Sequence, residues 1–206
     1  MKEHTIPEKT VVQIALIGEG LIVAVSVLLV YWRQINLSIT FSIATVSSGV
    51  LATVPLLIIN FLILEKLARS QKFAVYRKFK EEIIRPLCSN LSPSSIFIVA
   101  LASGFAEELF FRGVLNTELF QFMSQGLAIT VSSLLFAYVH FIGLLKTYWP
   151  LVIFYFIFGA YFSYLALYTD NLLPCMLTHG VYNFIAMWYV RYVDQDNARA
   201  NDRFTT

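Results

Sequence analysis

From position 34 to 64 the chain carries no Asp, Glu, Lys or Arg, and positions 126–145 and 149–168 are equally free of them. A helix crosses the hydrocarbon core of a bilayer in about 20 apolar residues, and its backbone is satisfied internally only as a helix or a closed barrel. Such runs read as membrane-spanning helices. The whole chain agrees: 58% of its 206 residues are hydrophobic and 14% are charged, against about a quarter charged in an ordinary soluble domain. A soluble or disordered protein is excluded. The net charge of +2 is too small to suggest a nucleic-acid partner. Cys88 and Cys175 are the only cysteines, so neither a disulfide framework nor a cysteine-based metal site is expected.

Windows of spanning length predict an all-α, polytopic helix bundle of about six transmembrane helices, near 11–32, 43–64, 96–115, 126–145, 149–168 and 171–190. The first apolar run is too long for a signal-peptide core of about 7 to 15 residues, so it reads as a retained span. Lys66, Arg69, Lys72, Arg77, Lys78, Lys80 and Arg85 all lie between spans two and three, and positive residues mark the cytoplasmic side. Threading from that loop puts the N-terminus, Lys146, Arg191, Arg199 and Arg203 inside and leaves Arg33 outside. The chain then divides into a cytoplasmic N-terminus (1–10), two spans (11–64), a basic segment (65–95), a membrane core (96–190) and a polar cytoplasmic tail (191–206). Within the basic segment Phe73, Val75, Tyr76, Phe79, Ile83 and Ile84 recur at helical spacing, which predicts an amphipathic helix at the inner membrane surface or a solvated loop. Ser92 before Pro93 predicts the start of the third span.

Several polar residues fall inside the spans, where each ionised group costs at least about 2.5 kcal/mol and needs a partner or a wet cavity. Glu107, Glu108 and Arg112 are on the third span, His140 on the fourth, and His179 with Asn183 on the sixth. Glu108 and Arg112 are four apart, share a helix face and can pair. Glu107 is turned by about 100° from Glu108, which leaves it desolvated beside a like charge, a setting that suits a general base. His140, from another helix, can share a water with it. His179 and Asn183, also four apart, can point two donors at one oxyanion. Glu19, alone between Gly18 and Gly20, reads as a packing or hydrogen-bonding residue.

In this order the motifs resemble the CPBP family of intramembrane proteases, also called the Abi or CAAX-protease family. The first family motif stands as Glu107, Glu108 and Arg112 with Gly113 and Leu115 after it. The second stands as Phe136 and His140, preceded by Ser132 and Ser133. The third stands as His179 and Asn183, with Pro174 upstream. The resemblance covers about residues 96 to 190. It implies endoproteolysis of a membrane-associated peptide or protein within the bilayer, Glu107 and His140 activating water, Glu108 and Arg112 ordering the site, and His179 and Asn183 holding the oxyanion. No cofactor is expected on that scheme. The alternative within the family is a catalytic zinc on Glu107, His140 and His179. The implied partners are the substrate and the lipid bilayer, and the expected location is the plasma membrane with both termini cytoplasmic. Two other classes compete: a non-catalytic adaptor or immunity protein, which has no use for an unpaired Glu107, and a proton-coupled transporter, for which a second half with matching polar breaks is missing.

Overall fold

The computed structural model describes residues 6–64 and 74–194, and every regular element among them is helical. Lys2, Lys66, Arg69, Lys72, Phe73, Arg199 and Arg203, which entered the charge and periodicity readings, lie outside the described residues. Among the described residues seven helices form one bundle: α1 (Glu8–Arg33), α2 (Ile43–Phe61), α3 (Ala74–Phe79, Lys80–Ile84 and Arg85–Cys88 end to end), α4 (Pro93–Leu119), α5 (Gln125–His140), α6 (Leu145–Thr169) and α7 (Leu172–Trp188, continued by Tyr189–Asp194).

Local sequence explains where these helices begin. Ser42 and Thr45 form a reciprocal capping box at the start of α2. Ser92 Oγ accepts from Ser95 N, with Pro93 in the first helical turn of α4. Asn171 Oδ1 accepts from Leu173 N at the start of α7. The same Asn171 exchanges two hydrogen bonds with the backbone of Thr40, at 3.1 and 2.8 Å, tying the α1–α2 loop to the α6–α7 turn.

Among the described residues four helices, α1, α2, α4 and α6, are long and apolar enough to cross a membrane. Their outer faces carry the exposed side chains Ile14, Ile17, Leu21, Leu28, Leu51, Phe97 and Ile153, among others. A soluble fold would have to hide such a surface. The chain is an integral membrane protein. The fourth expected span differs from its window: α5 is 16 residues long and ends at His140. Phe141, counted toward that span, is instead fully buried in the turn that follows, packed on Phe79 of α3, and Gly143 takes a positive φ of 78° in the same turn. Apolar residues that look like membrane helix thus fill a second core cluster of Phe79, Phe141, Tyr148 and Leu151. The apolar face of α3 meets this cluster, so its described part packs on protein.

Polar contacts sort the helix ends into two layers. Ser92 N donates to Glu8 Oε1, Tyr148 Oη to Glu82 Oε2, and Arg85 Nη2 to Asp194 Oδ2 at one end. Arg33 with Glu118 and Thr40 with Asn171 meet at the other. Helices α1 and α4 run parallel, and α7 packs closely against α4. A Cβ added to Gly104 would stand 2.5 Å from Gly180 N and 2.8 Å from Gly180 Cα. Any side chain there would separate the two helices. Similarly, a Cβ on Gly159 of α6 would meet Ser133 Cα of α5 at 3.2 Å. These two approaches hold α5, α6 and α7 around the middle of α4, where Glu107 and Glu108 sit.

Candidate active site

Glu107 and Glu108 end the regular part of α4, and Arg112 lies in a π-helical stretch, Leu109–Leu115, that follows them. Such widened turns are rare and recur at functional positions. All three side chains are buried. Arg112 is held on every side: Nη1 donates to Glu108 Oε1 at 3.2 Å, Nη2 to Gly159 O at 2.7 Å and Nε to Ser163 Oγ at 3.3 Å. Its guanidinium also lies over the Phe136 ring, 4.6 Å from the centroid. The expected Glu108–Arg112 pair is present. The close approach at Gly159 brings α6 near enough for its carbonyl to be reached.

A third group joins this pair. His179 Nδ1 lies 2.7 Å from Glu108 Oε1, and its ring stacks on Phe162 at 4.8 Å with 14° between planes. A carboxylate only accepts, so Nδ1 carries the hydrogen and Nε2 is the nitrogen left for other contacts. His140 is oriented in the same sense. Its Nδ1 donates to Phe136 O at 2.7 Å, because a carbonyl also only accepts. Its Nε2 stands 3.3 Å from Glu107 Oε2. That carboxylate oxygen is buried and has no hydrogen-bond partner, so the two groups are adjacent without a well-aligned bond. The imidazole rests between Phe136, at 4.6 Å, and Tyr155, at 4.8 Å. About 26% of its side chain is exposed, which makes it the accessible member of the pair.

Asn183 is placed differently from the expectation that it points with His179 at one spot. Its Nδ2 donates to Ser103 Oγ on α4 at 2.8 Å, and Ser103 Oγ passes a hydrogen bond to Ala100 O. Both His179 and Asn183 line the same cavity, but each gives its first donor to α4. For His179 to donate from Nε2 as well, the ring must be the imidazolium. Asn183 keeps a second amide hydrogen. Ser103 carries no motif of its own and was not expected at the site.

The cavity has a volume of about 440 Å³ and a mostly apolar lining. It runs from His140, His179 and Asn183 past Tyr155 and Tyr182 toward Asn60, Lys80 and Cys88. The far end is therefore the layer that holds α3. As to zinc, Glu107 with His140 makes a pair, and His179 belongs to Glu108. Among the described residues no group of three His, Cys, Asp or Glu side chains is gathered closely enough to hold a metal ion. The donor set does not fit a three-ligand site in this arrangement.

Glu19 is the residue whose surroundings differ most from a lone packing carboxylate. Its Oε2 is buried without a hydrogen-bond partner, and Glu107, His140 and His179 are all within electrostatic range of it. The only signal in the sequence was its type: a carboxylate in an apolar run.

No curated protein and no solved structure matches the chain. Residues 89–185 match the model of the Rce1-like family, described as type II CAAX prenyl endopeptidase. That stretch starts just before the Ser92 cap of α4 and closes two residues after Asn183, so it takes in all three motifs, with Glu107, Glu108, Arg112, His140, His179 and Asn183. Over this region, a little under half of the chain, the protein is similar to the CPBP, or CAAX-protease, family of membrane proteins.

Proposed function

We propose that this protein is an intramembrane endopeptidase that hydrolyses a peptide bond of a membrane-associated peptide or protein, with water activated by Glu107 and His140. The observation that carries the reading is the 3.3 Å approach of His140 Nε2, which lines an apolar cavity, to a buried Glu107 Oε2. A scaffold gains nothing from a buried carboxylate oxygen without a partner. A hydrolase gains a base.

The steps follow from the donors and acceptors already described. Water beside His140 gives a proton to Glu107 as its oxygen attacks the scissile carbonyl carbon. The carbonyl π electrons move to oxygen, and the resulting oxyanion is met by the second amide hydrogen of Asn183 and by His179 when that ring is charged. Collapse of the tetrahedral intermediate re-forms the carbonyl and breaks the C–N bond. The proton taken by Glu107 passes, directly or through His140, to the leaving amine. Arg112 forms no bond to the substrate in this scheme. It neutralises Glu108, which in turn keeps the His179 ring in one orientation.

The apolar lining of the cavity supports a substrate that brings a hydrocarbon group with its peptide, in keeping with the prenyl endopeptidase description of the matched family. The basic residues of 65–90 support entry from the cytoplasmic side, with both termini on that side of the plasma membrane. The test is cleavage of a lipid-anchored reporter peptide by purified protein in proteoliposomes, wild type beside Glu107→Gln. Cleavage by the first and not the second is expected. Equal rates in both would remove Glu107 from the chemistry.

A further inference from the structure

Helices α1 and α4 are parallel and keep one register along their length. Asn90 Nδ2 donates to Ile6 O and Ser92 N to Glu8 Oε1, each pair 84 positions apart. At the opposite end Arg33 Nε donates to Glu118 Oε2, 85 positions apart. Position 19 therefore lies level with Ser103 and Gly104, about 6 Å before Glu107 along the axis at 1.5 Å per residue. Ala15 and Val99, one turn earlier on the two helices, line the same cavity.

The face that Glu19 presents is the packed one. Gly18 and Gly20 on either side meet nothing within 4 Å, and of the residues of α1 only Val11 and Ser26 are buried. Yet Glu19 Oε2 is buried without a hydrogen-bond partner, and the charged groups in range of it are Glu107 of α4, His140 of α5 and His179 of α7. A carboxylate oxygen left unpaired in apolar surroundings is costly. A helix that needed only to pack here would carry an apolar residue.

We propose that Glu19 is a positioning residue of the active site, its carboxyl group orienting the attacking water from the α1 wall. Glu19 accepts a hydrogen bond from one O–H of the water while Glu107 takes the other hydrogen as a proton, so Glu19 itself gains and loses nothing. This rests on the endopeptidase reading above. It also makes α1, which lies outside the family-matched stretch, part of the machinery.

Two measurements test it. In proteoliposomes, Glu19→Leu is expected to lower kcat at least about tenfold while KM stays within about twofold, the signature of an interaction made in the transition state. Glu19→Gln keeps an amide oxygen that accepts the same hydrogen bond and is expected to retain kcat within about threefold. Thermal melting of both variants runs alongside. Wild-type kcat in Glu19→Leu, or equal loss in the two variants, overturns the proposal. The second measurement needs no activity. In a protein with Cys88→Ser and Cys175→Ser, the pair Glu19→Cys and Glu107→Cys is expected to be joined by a short bis-methanethiosulfonate cross-linker, each thiol displacing a methanesulfinate, and the pair Leu21→Cys and Glu107→Cys, with Leu21 63% exposed, is not. Failure of the first pair to join overturns the placement whatever the activity. A wild type that cleaves no peptide removes the endopeptidase reading and the positioning role with it, whereas a cleaving wild type with an indifferent Glu19→Leu removes the positioning role alone.

Discussion

His179 Nδ1 donates to Glu108 Oε1 across 2.7 Å, from the last helix of the bundle to the middle of α4. That bond sets the tautomer of the ring, leaves Nε2 for other contacts and makes a carboxylate of the first family motif the anchor of the third. Arg112 reaches the same oxygen at 3.2 Å, so one buried atom joins two motifs that are 71 positions apart in the chain.

Arg112→Ala leaves Glu108 without its cation in a fully buried position. Loss of one partner of a buried pair costs about 3 to 5 kcal/mol, and thermal melting in detergent is expected to show a loss of that order. Arg112→Lys is expected to recover little of it, because an ammonium cannot reach Glu108, Gly159 O and Ser163 together as the planar fork does. Melting of Arg112→Ala indistinguishable from wild type would mean that the pair is solvated.

Glu107→Gln keeps the shape of the side chain and removes its basicity. Cleavage is expected to fall by about 100-fold to 10,000-fold, the usual contribution of a positioned acid–base group. The melting temperature is expected to stay near wild type, since Oε2 makes no hydrogen bond that the amide would break. Activity near the wild-type rate would assign the base elsewhere.

Gly104→Ala tests the tight contact between α4 and α7. Its Cβ would stand 2.5 Å from Gly180 N, so α4 and α7 must part, at a cost of about 1 to 3 kcal/mol typical of overpacking. Because Asn183 and His179 both bond to α4, cleavage should decline as well. Gly126→Ala, where nothing lies within 4 Å, serves as the control and is expected to melt like wild type.

Metal dependence separates the two schemes within the family. With water activated by Glu107 and His140, EDTA is expected to leave cleavage unchanged, and elemental analysis of the purified protein should find no stoichiometric zinc. If zinc acts as the Lewis acid, chelation abolishes cleavage and added zinc restores it. One zinc per chain, lost together with activity in His140→Ala, would reverse the assignment.

Asp194 ties α3 to the end of α7 through Lys80 Nζ at 3.1 Å and Arg85 Nη2 at 2.7 Å. Burial alone would push its carboxyl up; the hydrogen bond from Arg85 and the nearby Lys80 outweigh that and hold it below the usual aspartate value. A folded-state value below the unfolded one means stability that is fully present above about pH 3.9 and lost as pH falls through the lower folded value. Hydrogen exchange of residues 74–88 should therefore accelerate as pH drops below about 3.9, after correction for intrinsic rates. Asp194→Asn should exchange faster already at neutral pH and respond less to acid. An unchanged exchange rate in that variant would show that α3 is held by its apolar face alone.

Much of this protein is legible one helix at a time. Apolar runs announce α1, α2 and α6, Ser92 with Pro93 announces the start of α4, and the four-residue spacing of Glu108 and Arg112 announces their pair, because each of these is decided by hydropathy, capping or the helical repeat within a single segment. The end of α5 is not legible in that way. Phe141 and Leu144 have the hydropathy of a membrane span, and only packing against α3 makes them a turn with Phe141 buried and Leu144 half-buried. The partners of His179, Asn183 and Glu19 are decided the same way, by neighbours brought from other helices. Their spacing says which face of a helix they share, but not what stands opposite. The tertiary structure gives His179 to Glu108, Asn183 to Ser103 and His140 to Glu107, through approaches that depend on glycines at positions 104, 159 and 180. A periodicity constrains directions around one axis, whereas a bond between two helices depends on the distance and angle between their axes, and these are set by the sizes of side chains on both.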